Sequence, residues 1–262
     1  MLKMAVDIAL LQIGHRAEES CQDRIERGLA LLARMERRVE LAIFPELWTV
    51  GYFNFEEYEH HAEPIPGPSS RRFSAAARDM GIWLHAGSII ERSSQGLYNT
   101  SLLFAPDGSL RATYRKIHLF GYDSRESELL TPGDGLTVID TPFGVLALTT
   151  CYDMRFPELY RQLVQRGAEI FLVTAAWPYP RLEHWLVLAR ARAIENLAYM
   201  VCCNASGRMR DQQLLGNSLI VDPWGTPTAR AGEGEQILYG ALDPTHVREV
   251  RTTFPALRDR RL

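Results

Sequence analysis

The 262-residue sequence contains few cysteines and no zinc-type cysteine motif, and both absences restrict what the protein can be. Four cysteines occur, at positions 21, 151, 202 and 203, which is too few and too irregular for a disulfide framework in a chain of this length. No Cys-x-x-Cys motif is present, and the seven histidines form no helical i,i+4 pair. We therefore expect reduced thiols and no metal site.

The sequence also lacks an excess of charge of one sign and any long apolar run. It has 29 Lys and Arg against 32 Asp and Glu, a formal charge of −3, and no basic run. Nucleic acid is therefore not an expected partner. The apolar stretch near the start soon meets Asp7, Gln12 and His15, so it is too interrupted for a signal peptide or a membrane span. We expect a cytoplasmic protein with no membrane partner.

Apolar runs of strand length alternate along the chain with segments of helical period, which is typical of an α/β protein. The pattern predicts strands at 4–11, 41–44, 82–90, 101–104, 110–114, 144–150, 170–174, 199–203 and 218–221. It predicts helices at 19–36, 157–166 and 183–196, and one that Ser69 or Ser70 caps and that reaches Met80. No linker, repeat or low-complexity tract interrupts the alternation, so we predict one domain. The periodicity alone does not distinguish a doubly wound single sheet from a sandwich of two sheets.

Glu46, Lys116 and Cys151 each follow the end of a predicted strand, where the active sites of α/β proteins lie. A cysteine thiolate is the nucleophile of acyl transfer, and it needs a base to form it or a cation to stabilise it. Glu46 supplies the base and Lys116 the cation, so we expect no cofactor. A Cys–His pair, with His118 or His184 beside the thiol, is the alternative.

The sequence around these residues resembles the three signature blocks of the nitrilase superfamily of carbon–nitrogen hydrolases. The blocks are Phe44-Pro45-Glu46, Tyr114-Arg115-Lys116-Ile117-His118-Leu119 and Cys151-Tyr152-Asp153-Met154-Arg155-Phe156-Pro157-Glu158-Leu159. They occur in the order of that family, with 70 and 35 positions between the Glu, the Lys and the Cys. The resemblance runs from about residue 4 to about residue 243. It implies a single carbon–nitrogen hydrolase domain over 1–262, with a short C-terminal tail from about residue 244.

The resemblance implies a four-layer αββα sandwich with two mixed β-sheets, assembled as a homodimer or a higher homo-oligomer. It makes Glu46 the general base, Lys116 the cation at the oxyanion, and Cys151 the nucleophile that forms a thioester. A further glutamate often completes such a site. We assign it to Glu126, with Glu128 as the alternative.

The residues after the cysteine favour an amidase. True nitrilases carry Trp-Glu at this point, whereas this chain carries Tyr152-Asp153, which resembles the amidase branches that include omega-amidase. We therefore predict hydrolysis of a small ω-amide of a dicarboxylate, such as 2-oxoglutaramate, to acid and ammonia. The alternatives are an N-carbamoyl amidohydrolase, a nitrilase, or a non-catalytic scaffold of the same fold.

Three residues are predicted to contact the substrate. The backbone N–H of Tyr152 would face the oxyanion together with Lys116, and Trp177 would line the pocket. Arg155 would bind a carboxylate at the distal end of the substrate. Its alternative role is a structural ion pair with Asp153 or Glu158.

Overall fold

The computed structural model describes residues 5–16 and 19–261. The start of the predicted first strand, at residue 4, lies outside these ranges. The strands are β1 Val6–Gln12, β2 Gly14–His15, β3 Leu41–Ile43, β4 Trp83–Ser93, β5 Gly96–Phe104, β6 Leu110–Arg115, β7 Val138–Thr141, β8 Gly144–Thr150, β9 Ile170–Ala175, β10 Tyr199–Asn204, β11 Ser206–Met209, β12 Gln212–Leu215, β13 Leu219–Val221, β14 Pro227–Arg230 and β15 Gln236–Leu242.

The α-helices are α1 Cys21–Ala33, α2 Tyr58–His61, α3 Pro68–Met80, α4 Glu126–Leu129, α5 Pro157–Gln165, α6 Leu182–Asn196, α7 Pro244–Thr253 and α8 Ala256–Asp259. Short 3-10 segments lie at Phe55–Glu57 and Cys151–Arg155. Local sequence explains several helix starts. The Ser20 side chain accepts from the backbone N–H of Asp23 at α1, and proline, which lacks the N–H that a first turn leaves unpaired, opens α3, α5 and α7.

Two six-stranded mixed sheets form the centre of the molecule. Their strand orders are β15-β1-β3-β4-β5-β6 and β14-β13-β10-β9-β8-β7. In the first sheet β1, β3 and β4 run parallel, and in the second β8, β9 and β10 do. β12, β11 and β2 form a separate, smaller sheet.

The side chains of the central strands are buried on both faces. In β1, Ile8 and Leu10 point towards the second sheet and join a core that includes Leu148 and Leu172. Ala9, the residue between them, faces the other way and packs under α1 and α3. Successive side chains of a strand point to opposite faces, so one strand serves two cores.

Helices cover the outer face of each sheet. Phe73 of α3 packs on the first sheet together with α1, and Trp185 of α6 packs on the second sheet together with α5. The layers are therefore helix, sheet, sheet, helix, which is the predicted αββα sandwich.

The segment after residue 243, predicted as a short tail, contains helix α7. Its Val247 and Val250 are buried, and Arg251 donates to the backbone carbonyls of Ala168 and Leu197. The prediction of one domain over the whole chain stays a prediction. Within the described ranges, no helix has the length and apolar character needed to cross a bilayer.

Candidate active site

The three predicted catalytic side chains follow strands of both sheets. Glu46 comes three residues after β3, Lys116 directly follows β6, and Cys151 directly follows β8. β6 is antiparallel to β5, which is antiparallel to β4, so β6 runs in the same direction as β4 and β3. Glu46 and Lys116 therefore lie at the same edge of the first sheet. Cys151, at the end of a strand of the second sheet, lies beside that edge.

Lys116 lies between two carboxylates, and all three side chains have no exposed area. Its Nζ donates to Glu46 Oε1 at 2.8 Å and to Glu126 Oε1 and Oε2 at 2.9 and 2.8 Å. Asn99 Nδ2 donates to Oε1 of both glutamates, at 2.9 Å each. The buried ammonium is thus held by both glutamates, and Asn99 fixes the glutamates relative to each other.

Glu126, and not Glu128, belongs to this cluster. Tyr52 Oη and the backbone N–H of Phe120 donate to Glu126 Oε2 at 3.0 and 2.8 Å. The Glu128 side chain is 67% exposed and pairs with Arg125 at 3.4 Å. The structure therefore places the first of the two alternatives in the site and the second on the surface.

Cys151 occupies a strained turn. It directly follows β8 and begins the 3-10 segment, with φ of 48°, in the left-handed region that L-residues rarely adopt. Only 8% of the residue is exposed, and it lines a pocket of about 300 Å³, including the open mouth. The described residues that line this pocket are Tyr52, Phe53, Phe120, Cys151, Tyr152, Arg155, Ala176, Trp177, Pro178 and Arg181.

Burial and neighbouring charges set the protonation of the cluster. Burial raises the pKa of Glu46, the positive charge of Lys116 opposes this, and the negative charge of Glu126 adds to it. Burial raises the pKa of the Cys151 thiol well above its usual range, and the charge of Glu46 raises it further. Burial alone would lower the pKa of Lys116, but the charges of Glu126 and Glu46 outweigh burial and raise it. The raised pKa of Cys151 keeps its thiol protonated, and the raised pKa of Lys116 keeps its ammonium charged.

Tyr152, Arg155 and Trp177, the three residues predicted to contact substrate, all line the pocket. The Arg155 guanidinium lies 4.9 Å from the centre of the Trp177 ring, and its Nη2 lies 3.1 Å from His184 Nδ1. In the described part of the chain Arg155 has no ion pair with Asp153 or Glu158, so the structural alternative for this arginine is not realised.

The two histidines of the Cys–His alternative contact other groups. His118 Nδ1 lies 2.7 Å from Asp153 Oδ1, and His184 contacts Arg155. Among residues 5–16 and 19–261, neither histidine has a hydrogen bond with Cys151. The geometry favours Glu46 as the partner of the thiol.

Sequence reasoning missed several groups of the site. Asn99 and Tyr52 hold the glutamates, the backbone N–H of Ala176 donates to Glu46 Oε2 at 3.0 Å, and Arg181 lines the pocket. One signal was available for Asn99, because it begins a run of three polar residues, 99–101, inside an otherwise apolar strand. A polar run in a buried strand indicates a hydrogen-bonded interior site.

The model of the carbon–nitrogen hydrolase family matches residues 7–252. The chain belongs to the carbon–nitrogen hydrolase family. It is 39% identical to a 2-oxoglutaramate amidase of Paenarthrobacter nicotinovorans, over 98% of this chain and 90% of the relative. It is 35% identical to the mouse omega-amidase NIT2, over 97% of this chain and 94% of that protein.

Solved structures of this family share the fold. Nit3 of Saccharomyces cerevisiae, a member of branch 10 of the nitrilase superfamily, matches with a TM-score of 0.90 and 32% identity, over 100% of this chain and 98% of Nit3. A mutant amidase of Nesterenkonia, with an acetamide moiety added covalently at its active-site cysteine, matches with a TM-score of 0.85 and 27% identity, over 98% and 94% of the chains. The predictions of the family, the αββα fold and an amide-hydrolysing enzyme are confirmed.

Proposed function

We propose that the protein hydrolyses a small ω-amide of a dicarboxylate, such as 2-oxoglutaramate, to the acid and ammonia. The observation that supports this most directly is the pocket above Cys151, which contains two arginines and no acidic side chain among its described lining residues. The 2-oxoglutaramate amidase and omega-amidase relatives support the same substrate class.

Acylation begins when Glu46 accepts the proton of the Cys151 thiol. The sulfur attacks the amide carbon, and the carbonyl oxygen gains the negative charge of a tetrahedral intermediate. The Lys116 ammonium and the backbone N–H of Tyr152 stabilise that charge, and such donors each contribute about 3 to 4 kcal/mol when they are preorganised. Glu46 then gives its proton to the departing nitrogen, so ammonia leaves and a thioester remains on Cys151.

Deacylation uses the same base. Glu46 takes a proton from water, and the hydroxide oxygen attacks the thioester carbon. The second tetrahedral intermediate collapses, the sulfur of Cys151 leaves, and the proton on Glu46 returns to it. The acid departs with no metal or organic cofactor, and activity that survives dialysis against a chelator is the expected check.

Arg155 and Arg181 are proposed to bind the distal carboxylate of the substrate. Within the described residues neither guanidinium has a carboxylate partner, and each lies over an aromatic wall, Arg155 on Trp177 and Arg181 at 5.4 Å from the centre of the Phe120 ring. Burial lowers the pKa of Arg155, and the charge of Arg181 also lowers it. An anion between the two arginines relieves this repulsion, whereas an ammonium adds to it. A 2-oxo acid amide is therefore preferred over glutamine.

The test is a comparison of kcat/KM for 2-oxoglutaramate, glutamine and butyramide, with the rate measured as ammonia release. We expect 2-oxoglutaramate to exceed both others by about 10-fold or more, because a site built for a charged group rejects analogues that leave it unpaired. Arg155→Gln and Arg181→Gln should reduce this preference. Arg78→Gln, on the exposed side of α3, is the matched control and should leave it unchanged.

The possible results test different parts of the proposal. Equal rates on 2-oxoglutaramate and butyramide in the wild type would refute the ω-amide proposal. A preference that survives both pocket substitutions would refute only the assignment of the arginines. A substrate-derived acyl group mapped to Cys21, Cys202 or Cys203 would refute Cys151 as the nucleophile.

A cytoplasmic homodimer is part of the proposal. The four cysteines are free, which fits a reducing compartment. An exposed apolar surface on the helical layer of the second sheet supports the dimer. We call it the α6 patch, and it comprises Val187, Ile194, Trp224 and Phe254.

A further inference from the structure

A buried carboxylate outside the predicted catalytic set connects the turn of Cys151 to the segment of Lys116. Asp153 has no exposed area. Its Oδ2 accepts from the backbone N–H of Thr150 at 2.9 Å and from Tyr114 Oη at 2.7 Å. Its Oδ1 accepts from the backbone N–H of His118 at 3.1 Å and contacts His118 Nδ1 at 2.7 Å. Four groups thus surround one carboxylate.

The four groups come from two segments. Thr150 immediately precedes Cys151, whereas Tyr114 and His118 lie two residues before and two residues after Lys116. The carboxylate therefore holds both sides of the lysine segment against the cysteine turn. The His118 ring is also stacked on Phe156, at 3.8 Å between ring centres and 8° between planes, so a second contact joins the same two segments.

We propose that Asp153 is a positioning residue that sets the distance between the sulfur of Cys151 and the ammonium of Lys116. This inference rests on the proposed roles of those two side chains. Lys116 stabilises the oxyanion only if its ammonium lies near the oxygen of a substrate already bonded to sulfur. A misplacement of about 1 Å at such a point lowers the rate by about 100-fold.

An asparagine cannot replace this carboxylate. A carboxylate offers two acceptor oxygens, whereas an asparagine side chain offers one oxygen and one NH2 group. In Asp153→Asn the NH2 group takes the place of one of the two acceptor oxygens. In one orientation it faces the donors of Thr150 and Tyr114, and in the other it faces the donor of His118. Those donors lose their acceptor in a buried site, and the two segments separate.

Tyr114 and Tyr160 provide a matched pair for the test. Each is a buried tyrosine whose hydroxyl contacts one buried side-chain oxygen, that of Asp153 for Tyr114 and that of Thr149, at 3.0 Å, for Tyr160. Tyr114→Phe removes the hydrogen bond to Asp153 and a longer one that the hydroxyl accepts from the backbone N–H of Ile117 at 3.4 Å. It should lower kcat about 3- to 10-fold, as expected for a loss of about 1 kcal/mol, with KM within about 2-fold. Tyr160→Phe should leave kcat unchanged.

Asp153→Asn should lower kcat by about 100-fold. Adding Tyr114→Phe to Asp153→Asn should cause little further loss, because the acceptor of that hydroxyl has already changed. The substrate for these measurements is whichever small amide the wild type hydrolyses fastest, so the test does not depend on the ω-amide preference.

The rate at which iodoacetamide alkylates Cys151 separates positioning from a merely structural role. Alkylation forms no oxyanion, so it does not need Lys116 close to the reacting oxygen. We expect Asp153→Asn to change the alkylation rate by no more than about 3-fold while kcat falls much further. The label is mapped by mass spectrometry.

Several results would overturn the proposal for Asp153. They are equal losses of kcat in Tyr114→Phe and Tyr160→Phe, a kcat in Asp153→Asn close to that of the wild type, or parallel losses of kcat and alkylation. Loss of activity on alkylation with label on Cys21, Cys202 or Cys203 and none on Cys151 would instead refute the proposed role of Cys151, so the two failures are distinguishable.

Discussion

Lys116 is a fully buried cation with two fully buried carboxylates, and this arrangement makes Glu126 as important as the predicted base. Removing one partner of a buried charge leaves the remaining charges unbalanced. Because Glu126 contacts Lys116 with both of its oxygens, Glu126→Gln loses the negative charge and one of the two acceptors.

We predict that Glu126→Gln lowers kcat by about 100-fold, the loss expected when a reacting group moves by about 1 Å. Glu128→Gln is the matched control, because the exposed Glu128 contacts only Arg125 in the described chain, and it should keep wild-type kcat. The measurement is steady-state ammonia release with thermal unfolding in parallel. A Glu128→Gln loss as large as that of Glu126→Gln would contradict the assignment.

The protonation of Cys151 and Glu46 gives a prediction about pH. The thiol pKa is raised, so at neutral pH the sulfur reacts only if Glu46 takes its proton. The Glu46 pKa is also raised, so this carboxylate becomes protonated, and unable to accept, at a pH above the ordinary range of a glutamic acid. Alkylation of Cys151 by iodoacetamide should therefore fall as pH decreases through that raised pKa.

Glu46→Gln should abolish this decrease of the alkylation rate at acidic pH. Alkylation should be slow at neutral pH and should rise only in alkaline solution, where the thiol ionises without a base. The measurement is the rate of label incorporation at Cys151 across pH, with the partly exposed Cys21 as internal reference. A Glu46→Gln profile identical to that of the wild type would exclude Glu46 as the base.

Reactive side chains that follow strands could be predicted, whereas the groups that hold them in place could be predicted only in part. Glu46, Lys116 and Cys151 could be predicted because reactive side chains follow apolar runs in a recognisable order. The choice between Glu126 and Glu128 required the structure, since it depends on which side chain of a four-residue helix points inward. Asn99 is held in place by residues distant in sequence, and local patterns carry no record of those contacts.

At the scale of elements, central strands were predicted more readily than edge strands. β9 is buried throughout and β8 at all but one residue, and both have mainly apolar sequences. The edge strands β14 and β15 are partly or fully exposed along most of their length, so neither a continuous run nor an alternation marks them. β15 pairs with β1, although most of the sequence separates the two strands, so no short stretch of sequence contains both partners.

Helix α7 gives a prediction about stability. Arg251 donates to the carbonyls of Asn196 and Leu197, at the end of α6, and of Ala168, just before β9. Arg251→Met removes all three bonds and should lower the free energy of unfolding by about 2 kcal/mol, the range for a hydrogen bond to a charged group.

Arg248, one turn earlier on α7, is the matched control. Its side chain is 50% exposed and forms one ion pair with Glu169 at 3.1 Å, so Arg248→Met should cost less than about 1 kcal/mol. Denaturant unfolding of both variants measures the difference. Equal destabilisation would mean that α7 is held by its apolar residues alone.

At the scale of the molecule, the two-sheet arrangement depends on which faces of the two sheets pack against each other. The inner faces of β1 and β9 share one core, and their outer faces belong to separate cores under different helices. A doubly wound single sheet would also bury both faces of these strands. Hydrophobic periodicity is the same in both cases, so the sandwich could be predicted only from the family resemblance.

The last prediction concerns the α6 patch and the proposed homodimer. Val187 and Ile194 lie seven residues apart on α6, so they share one face of the helix, and they are 57% and 49% exposed. Trp224 and Phe254 are 48% and 50% exposed, with ring centres 5.9 Å apart. Exposed apolar side chains of this size, gathered on one face, are typical of a protein interface, and the simplest occupant is a second copy of the same patch.

Trp224→Glu should therefore convert the dimer to a monomer, because a carboxylate buried without a partner at an apolar interface opposes association. Leu110→Glu, an equally drastic change at a residue that is 40% exposed on the hairpin of the first sheet, should leave the dimer intact. Sedimentation equilibrium at micromolar concentration measures the mass of each variant. A wild-type protein with the mass of one chain, or a Trp224→Glu variant that still has the mass of two, would show that the α6 patch does not form a dimer.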